Sequence, residues 1–121
     1  MVRTRSNLKL VPTTPPGHPQ PPGPLDQFGL DLWIAITSQY HFDDVGSFEV
    51  LYQACCCRSR AERCRKLIEG DGEFLRLKGG IRAHPCIREE SAARALTVRM
   101  IKDLGLNLEP LHDRPGRPSG R

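Results

Sequence analysis

The chain predicts a small, mainly α-helical domain of about three helices with a short β-hairpin before the last one. Three observations predict it. Apolar residues recur at three- and four-residue spacing in three separate stretches. Seven of the eleven prolines crowd between Pro12 and Pro24, ahead of the first stretch. A two-glycine break inside Glu73–Ala83 changes the apolar period from helical to alternating.

At 121 residues, with 38% hydrophobic and 6% aromatic residues, the chain has material for one modest core. Burial against copies of itself would add stability, so oligomerisation is expected. The segment 1–24 reads as a basic, Pro-rich arm in polyproline II or disordered conformation, with His18 exposed. The ordered domain is expected over 25–110 and a flexible basic tail over 111–121.

The first helix is expected over Leu25–Gln39. Phe28, Leu32 and Ile36 repeat every four residues, Trp33 widens the apolar face, and Gly29 weakens the helix slightly. Asp43 and Asp44 then offer a cap for a second helix over Val45–Glu69; as adjacent carboxylates they also raise a metal site, for which no third ligand stands nearby. Phe48, Leu51, Tyr52 and Cys55 mark the apolar face of this helix, followed by Ala61, Cys64 and Ile68, and Gly70 and Gly72 end it. Glu73–Ala83 reads as a hairpin turning at Gly79-Gly80. No Gly-Lys-Ser/Thr follows those glycines, so a phosphate loop is unsupported. Pro85 suits the first position of a last helix, where its missing N–H would have no intrahelical partner. Ala93, Leu96, Met100 and Leu104 form its apolar stripe, for core or subunit packing, and Gly105 stops it.

Five cysteines, three of them adjacent at Cys55, Cys56 and Cys57, make a poor disulfide framework and lack paired Cys-x-x-Cys spacing, so reduced thiols and no structural metal are expected. No signal-like apolar core and no run near the roughly 20 residues of a membrane helix is present. A soluble protein of the cytoplasm, without membrane association, is the expectation. His18, His41, His84 and His112 are scattered, and no nucleophile or metal-ligand motif surrounds them. No catalytic residue and no cofactor is therefore assigned.

Net charge is +4 with a pI near 9.0, which favours polyanionic partners. Arg58, Arg60, Arg63, Arg65 and Lys66 crowd one half of the second helix around the single acid Glu62. Guanidinium groups bind phosphate in bidentate fashion, so this cluster is a candidate DNA contact; a solvated helix face is the other reading. Arg114 and Arg117 are tail candidates, because Arg114-Pro115-Gly116-Arg117-Pro118 is similar to the Arg-Gly-Arg-Pro core of AT-hook segments, with Pro115 replacing part of it. A plain soluble tail fits those residues too.

The order of elements carries a resemblance. His84-Pro85, a helix with Arg94-Ala95 in its middle, then Leu104-Gly105-Leu106-Asn107-Leu108-Glu109-Pro110 and a Gly-Arg-Pro tail resemble a family of phage terminase small subunits. Leu32-Trp33 with Tyr40, Phe42-Asp43-Asp44 at a break, a long charged helix and a glycine-turned hairpin follow the same order, so the resemblance spans about Leu25 to Gly116. Cys55–Cys57 depart from it, standing where alanine or aliphatic residues are more usual. The resemblance implies a non-catalytic, ring-forming helical protein of phage or prophage. Such a protein binds double-stranded viral DNA and regulates a terminase large subunit that holds the ATPase and nuclease sites. From their periodicity, Leu32, Trp33, Ile36, Leu96, Met100 and Leu104 are expected to pack the core or the oligomer. The alternative is a small helical DNA-binding transcriptional regulator, which would act as a dimer at a promoter.

Overall fold

The structure, a computed structural model, describes residue 14 and residues 16–106. Three helices and one hairpin follow in chain order: α1 (Gln27–Gln39), α2 (Val45–Asp71), β1 (Phe74–Leu77), β2 (Gly80–Ala83) and α3 (Pro85–Asp103). α2 is the long central element, and α1 and α3 each pack against it. The chain is thus a mainly helical small domain with a two-stranded antiparallel hairpin before the last helix, as expected.

α1 starts two residues later than its apolar pattern suggests, because Asp26 is its N-cap and accepts a hydrogen bond from the Gly29 N–H at 3.0 Å. Its buried face is Gly29, Leu30, Trp33 and Ile36; Phe28 and Leu32 are half-buried at its edges. Gly29 lies where α1 packs closely on α2. A Cβ there would stand 2.6 Å from the Ser59 Oγ and 2.9 Å from the Cys55 carbonyl oxygen, so only glycine lets the helices meet at this depth. Its conformational freedom, a weakness in an isolated helix, is outweighed by this packing.

α2 begins at its cap Asp44, whose carboxylate accepts from the Ser47 N–H at 3.0 Å, and runs through Gly70 to Asp71 before Gly72 ends it. Leu51, Ala54, Cys55, Ser59, Ala61, Cys64 and Ile68 are buried, a wider face than one stripe because two helices cover it. Trp33, Ile36, Leu51, Ala54, Cys55, Ile101 and Leu106 form the main core. Phe48 packs beside it, 5.9 Å from Trp33 and 5.7 Å from Phe42 between ring centroids.

α3 differs in phase from the expected stripe. Glu90, Ala93, Thr97 and Ile101 are its buried residues, while Leu96 is 39% exposed and Met100 and Leu104 are half-buried against the core. Leu96 is therefore not a core residue. Thr97 can take the buried place because its hydroxyl donates to the Ala93 carbonyl at 2.9 Å, which satisfies its only polar group inside the helix. At the C-terminal end Gly105 has φ +80°, and the Leu106 N–H donates to the Ile101 carbonyl at 3.3 Å. This closure tucks Leu106 onto Ile101 in the core, the apolar contact that accompanies a Schellman stop.

The proline-rich segment is used by the fold, since His18, Pro19 and Pro24 each meet a residue of α1 or α2. Trp33 is fully buried and donates its indole N–H to the Pro19 carbonyl at 2.8 Å. The Tyr52 hydroxyl donates to the Pro24 carbonyl at 3.1 Å. His18, expected to be exposed, is half-buried with its Nδ1 3.3 Å from the Thr37 hydroxyl. An extended proline segment has carbonyls unused by its own backbone, and buried aromatic donors need such acceptors. Residues 1–13 and 107–121, including most of the basic arm and the whole tail, lie outside the described residues.

Candidate nucleic-acid interface

The cluster on α2 is brought together by the structure but is not free. Every one of its five cations has an intramolecular partner. Arg63 lies 3.1 Å from Asp26, and Arg60 reaches Glu89 at 3.9 Å. Arg65 Nη2 donates to Glu90 at 2.6 Å and its Nε to the other oxygen of the same carboxylate at 3.2 Å. Arg58 Nε stands 3.3 Å from Glu62, a Coulombic contact in which that N–H makes no hydrogen bond. The Lys66 ammonium sits 5.0 Å over the Phe28 ring.

Two of these contacts belong to a chain of charges across the packed helices. Glu90, 8% exposed, accepts from both Arg65 and Arg94, and Arg94 also donates to Glu62 at 3.3 Å. Hydrogen bonds from Arg65 come first among the influences that hold the Glu90 carboxyl below its usual range; burial opposes them and Arg94 adds to them. Asp26 is a second junction, capping α1 while accepting from the Ser59 hydroxyl and from Arg63. Burial alone would raise its pKa, but the bonds from Ser59, Gly29 and Arg63 together hold it low. Arg60, Arg63 and Arg65 thus serve first as contacts from α2 to its neighbours, whereas Arg58 pairs within α2. Arg60 and Arg63 remain more than half exposed, so a phosphate reaching them would compete with Glu89 and Asp26 for their charge.

The remaining cations of the described residues stand elsewhere. Arg76, Lys78, Arg82, Arg88, Arg99 and Lys102 are exposed and form no ion pair among the described residues. Four of them, Arg76 to Arg88, fall on the hairpin and the first turn of α3, in a stretch from Phe74 to Arg88 that holds no acid. Sequence reading passed over them because they are spread across a strand, a turn and a second strand instead of crowding one helix. The signal that could have found them was the absence of Asp and Glu around them. Between residues 14 and 106 twelve Lys and Arg face twelve Asp and Glu, so the whole net charge of +4 belongs to the two terminal segments. Arg114 and Arg117 lie there, outside the described residues.

The histidines are dispersed. His41 pairs with Asp43 at 2.8 Å on the exposed end of the domain. His84, 7% exposed, is the N-cap of α3: its Nδ1 accepts from the Cys86 N–H at 3.0 Å and its Nε2 donates to Asp71 at 3.0 Å. That is a structural use, fastening the start of α3 to the end of α2. His112 lies outside the described residues. All five cysteines are free thiols, and no group of three metal-ligating side chains forms among the described residues. An open groove of about 290 Å³ between α2 and α3 is lined by Cys56, Cys57, Arg60, Arg63, Glu89 and Leu96. It contains no nucleophile–base pair. No helix among the described residues is long and apolar enough to cross a membrane.

Comparison of the chain with protein-family models, with curated proteins and with solved structures finds no match in any of the three.

Proposed function

We propose that this chain is a non-catalytic adaptor of phage DNA packaging, a terminase small subunit that binds viral duplex DNA as a homo-oligomer and recruits or regulates the large ATPase and nuclease subunit. The observation that supports the reading is the order and punctuation of the elements. A long charged helix, a glycine-turned hairpin and a last helix opened by His84-Pro85 and closed by Gly105-Leu106 stand in the sequence that the resemblance implies. Basic terminal segments on a neutral body suit a polyanion held by electrostatics.

The test is direct. The purified full chain is expected to bind duplex phage DNA at 50 mM salt, to lose affinity steeply by 200 mM, and to co-purify with a co-expressed large subunit. Failure of both binding and co-purification sinks the proposal. Native mass measurement separates it from a dimeric regulator, since the packaging reading expects a larger closed ring.

A further inference from the structure

The hairpin is built as a projecting ribbon. Its four-residue strands pair Phe74 with Ala83, Leu75 with Arg82, Arg76 with Ile81 and Leu77 with Gly80, and it packs chiefly on itself. Only its base is fastened, where the His84 N–H donates to the Glu73 carbonyl at 2.8 Å and His84 holds Asp71. Alternation places Phe74, Arg76, Ile81 and Ala83 on one face and Leu75, Leu77 and Arg82 on the other. Leu75, on the second face, is half-buried; every residue of the first face is exposed, with Phe74 at 65% and Ile81 at 63%. An outward face therefore carries a guanidinium between an aromatic and a branched aliphatic side chain. Lys78 stands at the turn and Arg82 on the reverse side.

We propose that the hairpin Phe74–Ala83 is a DNA-contacting ribbon of this protein. Arg76, Lys78 and Arg82 grip phosphates on either side of a groove, and the Phe74–Ile81 face rests against the sugar and base edges between them. The proposal rests on the reading of the chain as a binder of duplex DNA and assigns that function to a surface. Charge selects the partner. The described body is neutral overall and its α2 arginines are already paired, whereas the hairpin holds three unpaired cations and no acid. Arg88 extends the same acid-free stretch onto α3. Arg99 and Lys102, the other unpaired cations, stand about 16 and about 21 Å beyond Arg88 along α3, with Asp103 next to Lys102. Shape agrees with charge, since a two-stranded ribbon is narrow enough for the roughly 12 Å major groove.

The experiment compares the full-length chain with R76A/K78A/R82A, with R58A/R60A and with F74A, by titrating duplex DNA from 50 to 300 mM salt and by native mass measurement. Because the hairpin lies outside the core, all hairpin variants should keep the helical circular dichroism and thermal midpoint of the parent. The triple variant is expected to lose affinity on the order of a hundredfold at 0.1 M salt and to reduce the slope of log K against log salt by about 2.7, the value for three phosphate contacts. F74A should weaken binding without moving that slope. R58A/R60A should leave the slope within about 0.5 of the parent, since its cations are already neutralised. A parent chain that does not bind DNA overturns this inference, and the proposed function falls with it only when the large subunit also fails to co-purify. A triple variant that binds like the parent overturns the hairpin alone. Loss of binding accompanied by collapse of the native mass to a single chain also overturns it, by making the hairpin a contact between copies.

Discussion

Single residues in this protein are decided by what they touch on folding. Cys55 looks like its two neighbours in the chain, but it is fully buried while Cys56 and Cys57 are half-buried. Burial, reinforced by the neighbouring Cys56, pushes its thiol up to about 12. At pH 8 it should stay protonated and resist iodoacetamide until the chain unfolds, a difference that peptide mass mapping would show. The unfolded thiol ionises near pH 9, so stability should fall as pH rises above that value. Glu90 has the opposite sign. Its carboxyl lies below the ordinary 4.5 when folded, so its contribution is present above that pH and lost as acid titrates the folded group. E90Q should therefore flatten the acid limb of a stability-against-pH profile. At neutral pH E90A should cost about 2 kcal/mol, because two half-exposed arginines lose their shared acceptor. Neither role could be seen from residue type alone: Glu90 and Glu89 are adjacent in the chain, and only the phase of α3 places one inside and the other outside.

At the scale of elements, periodicity and punctuation located all three helices and the hairpin to within about two residues. A capping carboxylate at Asp43 or Asp44, the Pro85 start and the Gly105 stop were legible because each acts through its own backbone neighbourhood; the fold uses Asp44. The buried face of α3 was not. Leu96 suggested one phase, and Thr97 won the interior by returning its hydroxyl to the helix backbone. Gly29 shows the same limit more sharply: by propensity it weakens α1, whereas by contact it permits the α1–α2 crossing. Gly29→Ala should therefore destabilise, by about 1–3 kcal/mol despite the better helix former, as measured by urea unfolding. Had propensity governed, the variant would be more stable than the parent.

For the whole molecule the governing fact is where charge resides. A chain of net +4 folds into a body in which acids and bases balance, with the excess held by the terminal segments. Replacing Arg3, Arg5, Lys9, Arg114, Arg117 and Arg121 by glutamine turns the net charge from +4 to −2. Elution from heparin should then occur at much lower salt, while the thermal midpoint stays put because none of the described ion pairs is touched. Unchanged elution would mean that the tails do not provide the long-range attraction.

The amino-acid order by itself determined the helical class, the number of elements and their limits to within about two residues, the Pro85 start and the Gly105 stop, and the presence of a basic cluster on α2, since these depend on neighbours within a few residues. Only the tertiary structure decided which of the cations are spent inside the molecule. Arg63 meets Asp26 from 37 positions away and Arg65 meets Glu90 from 25, separations at which no spacing rule applies and only the packing of α1 and α3 on α2 brings the charges together.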